Sequence, residues 1–342
     1  MKTKRICLKA MLTLSIVCAM PVMCASCSGN NNSNQRQAGN AERHNNKGAK
    51  VGGPQLGTSG GGPVIDKSGD KTLQALIKNV APKFKQFEYK DKETGKSLKY
   101  NLYSPQDSNS DKQYPLVLFM ADASTPGTDA TRPLSQGYGA LVWATDESQA
   151  KNPCYVLVPQ FSGVAVNDAY EHTEEVDMVI RLLRNIVNKN NIDSDRLYTT
   201  GQSMGGMISM YYNITYPDLF AASIFVDCHW DTDKFGELAK HTFTFVTAGK
   251  NGSSFGNVLA LEKAADKDGV KYEYSTWSAK LPQAEQDSLA QAMLSKGAQI
   301  NIINFTPKSV LPDDGKGSEH MYSFDYAYKL SPIREWLFKI RK

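Results

Sequence analysis

The chain has 342 residues, of which 41% are hydrophobic and 22% charged, and a formal net charge of +4. Most of it can therefore bury a core, and although the length permits two domains, α/β folds commonly use ~200–250 residues as one. No Lys/Arg block with interleaved aromatics is present, so nucleic-acid binding has no support.

The first residues read as a targeting segment. "MKTKR" is cationic, and "AMLTLSIVCAMPVM" is apolar but shorter than the ~20 residues a membrane crossing needs. Ala25 and Ser26 then precede Cys27, and an Asn-rich stretch follows. This pattern resembles a bacterial lipoprotein signal, which implies a signal over 1–26, lipidation of Cys27 and a lipid-anchored location in the cell envelope. Residues 27–64 are rich in Asn, Gly and Ser and poor in large apolar side chains. They are expected to form a flexible tether spanning about 30–35 Å. Of six cysteines only Cys154 and Cys228 lie in the body, at the start and end of different expected strands. They are expected to be unpaired and lack metal-site spacing.

From 65 to 342 a single domain is expected. "FEYKDKETGKSLKYNLYSP" suggests an antiparallel hairpin turning at Glu93-Thr94-Gly95. Seven apolar runs follow, at 115–121, 154–160, 196–201, 222–227, 242–249, 272–277 and 300–305, separated by helical patterns. The clearest helix begins at Glu174 and sets Val176, Val179, Ile180, Leu183 and Val187 on one face. Apolar strands alternating with amphipathic helices imply a mostly parallel sheet covered on both faces, an α/β fold. The β-α unit from Tyr272 to Gly297 reads as an addition before the last strand, its helix a candidate cap for a cleft. Trp143 and Trp277 are expected in packing, whereas His229 and Trp230 are placed at the cleft.

"RLYTTGQSMGGMISMYY" puts Ser203 between an expected strand and an expected helix. G-x-S-x-G in that setting is a nucleophile elbow, in which a strained turn lifts the serine hydroxyl clear of the sheet. The helix N-terminus and the Met204 N–H then face an oxyanion forming beside Ser203.

The segments "YPLVLFMADASTPGTD", "YVLVPQF", "NIDSDRLYTTGQSMGGM", "YPDLFAASIFVD" and "EHMYSFDYAYKLSPIREWLF" occur in the order of matching segments in secreted α/β-hydrolases. From about Phe84 onward the chain resembles the predicted-peptidase, feruloyl-esterase and polyhydroxybutyrate-depolymerase-like group. The resemblance implies an α/β-hydrolase fold and serine ester or amide hydrolysis without a cofactor or metal. The expected substrate is a small-molecule ester, a glycan-linked ester or a peptide, handled by a monomer whose one membrane contact is its lipid anchor.

Ser-acid-His chain order points to a late histidine as general base. His320, beyond the last strand, matches the family's late histidine; His229 is the second candidate. The acid is less direct. The family places Asp after the strand equivalent to "TFTFVTAG", where this chain has Lys250-Asn251-Gly252-Ser253. Asp227, ending the strand after the elbow, is the substitute, with Asp231 and Asp233 nearby; Asn251 is a further group able to orient an imidazole. After "PLVLF" the family reads Leu-His-Gly, but here Met120-Ala121-Asp122-Ala123 stands instead. Backbone N–H groups of Asp122 or Ala123 would complete the oxyanion hole if the Asp122 carboxylate bonds its own loop. Two functions follow: a serine hydrolase, or a degenerate relative retained as a glycan- or peptide-binding lipoprotein.

Overall fold

A computed structural model describes residues 55–58, 64–108, 111–250 and 252–342. The signal over 1–26 and the lipidation site Cys27 lie outside the described residues. So does most of the tether expected over 27–64. Gln55–Thr58, inside that segment, is paired to the body: Gly57 N–H donates to the Val164 carbonyl and Val164 N–H to that of Thr58, both at 2.8 Å.

Among the described residues nine strands form one sheet: β1 (Lys85–Lys90), β2 (Ser97–Tyr103), β3 (Tyr114–Met120), β4 (Tyr155–Gln160), β5 (Ile192–Gln202), β6 (Ala222–Val226), β7 (Phe243–Ala248), β8 (Tyr272–Trp277) and β9 (Ile300–Phe305). Their order is β1-β2-β4-β3-β5-β6-β7-β9-β8. The β1–β2 and β2–β4 pairs are antiparallel and the rest parallel. The hairpin turns where expected, because Asp91 Oδ2 accepts from both the N–H and the hydroxyl of Thr94.

All of β3 is buried, since helices cover both faces of the sheet. Leu116, Leu118 and Met120 enter one core with the Glu174–Lys189, Met204–Thr215 and Ser253–Asp268 helices. Val117 and Phe119 enter the other, with the Lys71–Asn79, Gln283–Leu294 and Glu319–Lys329 helices. Each fully buried side chain of this size contributes about 1.5–3 kcal/mol of transfer free energy.

Three elements depart from expectation. β5 begins at Ile192, because Ile192 pairs with Tyr114 before a bulge in the β3–β5 ladder. The closing stretch "DYAYKLSPIREWLFKI", whose pattern reads as one helix, is divided between the helices Glu319–Lys329 and Ser331–Leu337, because Pro332 cannot donate to a continuing helix. The added unit takes the sheet edge as β8, and its Gln283–Leu294 helix does not cap a cleft. Ala290, Met293 and Leu294 bury it in the core shared with Ile333 and Leu337. Cys154 and Cys228 are both free and buried.

Candidate active site

β5 ends at Gln202, and Ser203 turns the chain with φ 50° and ψ −120° before the Met204–Thr215 helix begins. A non-glycine residue held there costs on the order of 1–3 kcal/mol. The flanking glycines make the turn possible. A Cβ on Gly205 would lie 2.0 Å from the Met120 carbonyl oxygen, and one on Gly201 would lie 2.3 Å from the Gly205 carbonyl carbon. Ser203 N–H donates to the Val226 carbonyl at 3.0 Å, anchoring the turn to β6. Met204, at the first helical position, has no carbonyl within the helix to receive its N–H.

Asp227 follows β6 with φ 39°, itself in the left-handed region, and its N–H donates to the Val246 carbonyl at 2.7 Å. The carboxylate is almost fully buried. His320 reaches it from the other side of the site. Its Nε2 lies 2.9 Å from Ser203 Oγ, and its Nδ1 lies 3.3 Å from Asp227 Oδ2. With Nδ1 protonated toward the carboxylate, Nε2 is left free to accept the serine proton. The second distance is long for such a bond, as catalytic hydrogen bonds often are before substrate tightens them.

His320, expected beyond the last strand, stands in the first turn of the Glu319–Lys329 helix, whose N-cap Ser318 accepts from Met321 N–H. Placement on a helix also supplies a partner that sequence reasoning missed. The Ser323 hydroxyl, one turn on, lies 2.9 Å from Asp227 Oδ2 and 2.7 Å from the His320 carbonyl oxygen.

The electrostatics of His320 follow from this setting. Burial disfavours the imidazolium, but the hydrogen bond and charge of Asp227, with Asp122 and Asp168 behind it, override that and raise the pKa above its ordinary value. His229 goes the other way. Burial, aided by repulsion from His320, outweighs the attraction of Asp168 and Asp227 and lowers its pKa. His229 Nε2 is 3.3 Å from Asp168 Oδ1, so this second imidazole is held by its own carboxylate.

Asp122 is buried, and both its oxygens are occupied. Oδ1 accepts from Ser124 N–H at 2.7 Å and Oδ2 from Gln202 Nε2 at 3.3 Å. The carboxylate is thus spent on its own loop and on the strand before the elbow. Asp122, Ala123, Ser203, Met204, Asp227, His229 and His320 all line one cavity of about 330 Å³, whose lining also includes the apolar side chains of Val166, Met207, Ala248 and Met321.

Trp230, expected at the cleft, does not line this cavity and is buried in packing instead. Its ring packs against Tyr170 and Tyr211, with centroids at 5.2 and 5.7 Å, and its backbone N–H donates to Asn257 Oδ1. Asp231 caps its own turn by accepting from Asp233 N–H. Among the described residues, no helix is long and apolar enough to cross a membrane, and no group of three His, Cys, Asp or Glu side chains is placed to hold a metal ion.

Residues 92–253, a little under half of the chain, match the family model described as "Putative esterase". No curated protein matches the chain. Among solved structures, a thermostable esterase is 25% identical with a TM-score of 0.61; the match covers 77% of this chain and 64% of that one. The chain thus spans less than two thirds of that esterase's length. The feruloyl esterase module of Clostridium thermocellum complexed with sinapinate is 12% identical with a TM-score of 0.49, over 82% of this chain and 95% of that one. In fold, and over residues 92–253 in sequence, the chain is similar to the α/β-hydrolase esterases.

Proposed function

We propose that the protein is an exported, lipid-anchored serine esterase that works through an acyl-enzyme on Ser203. Ser203 Oγ attacks the ester carbonyl carbon while His320 Nε2 takes its proton. The oxyanion is met by the N–H groups of Met204 and Ala123, with the Asp122 N–H as the alternative donor from the same loop. His320 returns the proton to the departing alcohol, then deprotonates the water that releases the acid. Asp227 orients the imidazole and stabilises its charged form.

The observation that supports this most is the Ser203–His320–Asp227 chain, with 2.9 and 3.3 Å between successive members. A degenerate binding lipoprotein is disfavoured by the same geometry. Its two motives were a missing acid and an obstructive Asp122; Asp227 lies beside His320, and the Asp122 oxygens are turned to other donors. Ser203→Ala is expected to abolish p-nitrophenyl acetate turnover while the melting temperature moves by a few degrees at most. Turnover surviving the substitution refutes the assignment.

The anchor at Cys27 and the cell-envelope location rest on sequence pattern. Metabolic labelling with a radioactive fatty acid is expected to mark the wild-type protein and not Cys27→Ser.

A further inference from the structure

The catalytic cavity carries an unbalanced charge. Carboxylates of Asp122, Asp168, Asp227 and Glu319 line it, and among the described residues no lysine or arginine does. Three of these acids are engaged. Asp122 holds Ser124 N–H and Gln202 Nε2, Asp227 holds His320 and the Ser323 hydroxyl, and Glu319 Oε1 accepts from the Lys308 backbone N–H. Asp168 has a single hydrogen-bonding partner among the described residues, His229 Nε2 at 3.3 Å, and its side chain is 56% exposed. Burial lowers the His229 pKa, so at neutral pH this imidazole gives Asp168 a hydrogen bond without a countercharge. The N-termini of the Met204–Thr215 and Ser253–Asp268 helices also reach the cavity wall. Each supplies about half a positive charge, which does not balance the site.

The loop that carries Asp168 is tied down at every step. Val166 and His172 bridge its two ends as an antiparallel pair. Between them Asn167 Oδ1 accepts from the N–H groups of Ala169 and Glu171, and Tyr170 N–H donates to the Asn167 carbonyl. Tyr170 is held at φ 65°, a region an aromatic residue rarely adopts. Its ring packs on His229 and Trp230, with centroids at 6.2 and 5.2 Å. Asp168 is thus fixed at the cavity rim before substrate arrives, and an ion pair formed there loses little ordering entropy. We infer that Asp168 determines specificity by charge: the preferred substrate is an ester whose alcohol or acyl half carries a positively charged nitrogen. That nitrogen lies against the Asp168 carboxylate while Ser203 attacks the carbonyl. The inference rests on the serine-esterase reading and names the substrate class for that site.

Two isosteric pairs of esters test it, the members of each differing by one charge. Acetylcholine and 3,3-dimethylbutyl acetate place the difference in the alcohol. Ethyl 4-(trimethylammonio)butanoate and ethyl 5,5-dimethylhexanoate place it in the acyl group. Asp168→Asn keeps an acceptor for His229 and removes the charge, and comparing kcat/KM within a pair cancels its effect on His320. The ratio of cationic to neutral ester is expected to fall about 3–5-fold in one pair, the upper range for a partly exposed ion pair. That pair identifies the half that bears the nitrogen. A smaller fall in both pairs overturns the inference, and Ser203-dependent turnover of the neutral esters then leaves the esterase reading standing. Should Asp168→Asn fail to fold, sodium chloride decides on the wild type. It screens an exposed pair, so the ratio falls as salt is added, and a ratio indifferent to salt in both pairs overturns the inference. If no ester is turned over, the esterase reading fails, and calorimetry with tetramethylammonium decides the cavity. Binding seen in wild type and lost in Asp168→Asn supports the inference, and no binding in wild type overturns it.

Discussion

Ser203 and Asp227 both stand in the left-handed region at the ends of adjacent strands, joined through the bond from Ser203 N–H to the Val226 carbonyl, one residue before Asp227. Each strained turn lifts its side chain off the sheet toward the same side, where His320 spans the gap between them. The site is therefore only as good as two neighbouring turns and one helix terminus.

Asp227→Asn removes the charge that the His320 imidazolium faces. A drop in kcat on the order of 10⁴-fold is expected. Steady-state kinetics on p-nitrophenyl acetate checks this, and a loss below tenfold would mean that another group orients the imidazole.

The same pair sets the pH profile. Turnover needs neutral His320, whose pKa is raised by Asp227 against the effect of burial. The rising limb of kcat/KM should then have its midpoint above ~6.5, the ordinary histidine value. In residual Asp227→Asn activity the limb should move to lower pH, because burial is left with less opposition. A limb that does not move contradicts the coupling.

Ser323 positions Asp227 without touching substrate. Ser323→Ala leaves a buried carboxylate with one donor fewer, and about a 3–10-fold fall in kcat with little change in KM is expected. Ser323→Thr, which keeps the hydroxyl, should restore most of it. Equal losses in both variants would point to packing instead.

Gly205→Ala is the severe elbow substitution, because the new methyl meets backbone at Met120 and not a movable side chain. Destabilisation at or above about 1–3 kcal/mol is expected from overpacking, together with loss of activity. Denaturant melts check the first and p-nitrophenyl acetate assays the second.

Far from the site, buried Asp91 is held by both nitrogens of one face of Arg181, at 2.8 and 2.9 Å. The Arg181 guanidinium, against the cost of burial and with help from Thr94, keeps the Asp91 carboxyl well below the usual carboxylate range. A depressed folded-state pKa gives stability that is present above the unfolded value near ~3.9 and lost as pH falls below it. Asp91→Asn should therefore lower the melting temperature at pH 6 and lower it less at pH 3. A gap independent of pH would mean that the ion pair is not its source.

Much of this was legible in the sequence because parallel strands buried on both faces leave continuous apolar runs. Ser203 was legible because its turn demands glycines at fixed offsets. The helix under His320 was obscured by a preceding loop containing Asp313, Asp314, Gly315 and Gly317 and by weak apolar periodicity. Its one local sign was Ser318 followed by Glu319, a capping residue before an acidic first turn. Asp227 could be named from its place at a strand end. What separates it from Asp231 and Asp233 is a positive φ, which tertiary structure imposes. The Asp168–His229 pair and the salt bridges of Lys67 and Asp70 to the Glu319–Lys329 helix are contacts distant in sequence, and Gly57 pairs with Val164 through backbone alone, so composition carries no trace of them.

The central claim is that one hydroxyl, at Ser203, is activated by one imidazole, at His320. Mass spectrometry of the protein after brief exposure to a fluorophosphonate tests it most directly. One adduct mapping to Ser203 is expected, absent from Ser203→Ala and formed far more slowly in His320→Ala. An adduct on another residue, or a rate indifferent to His320, would contradict it.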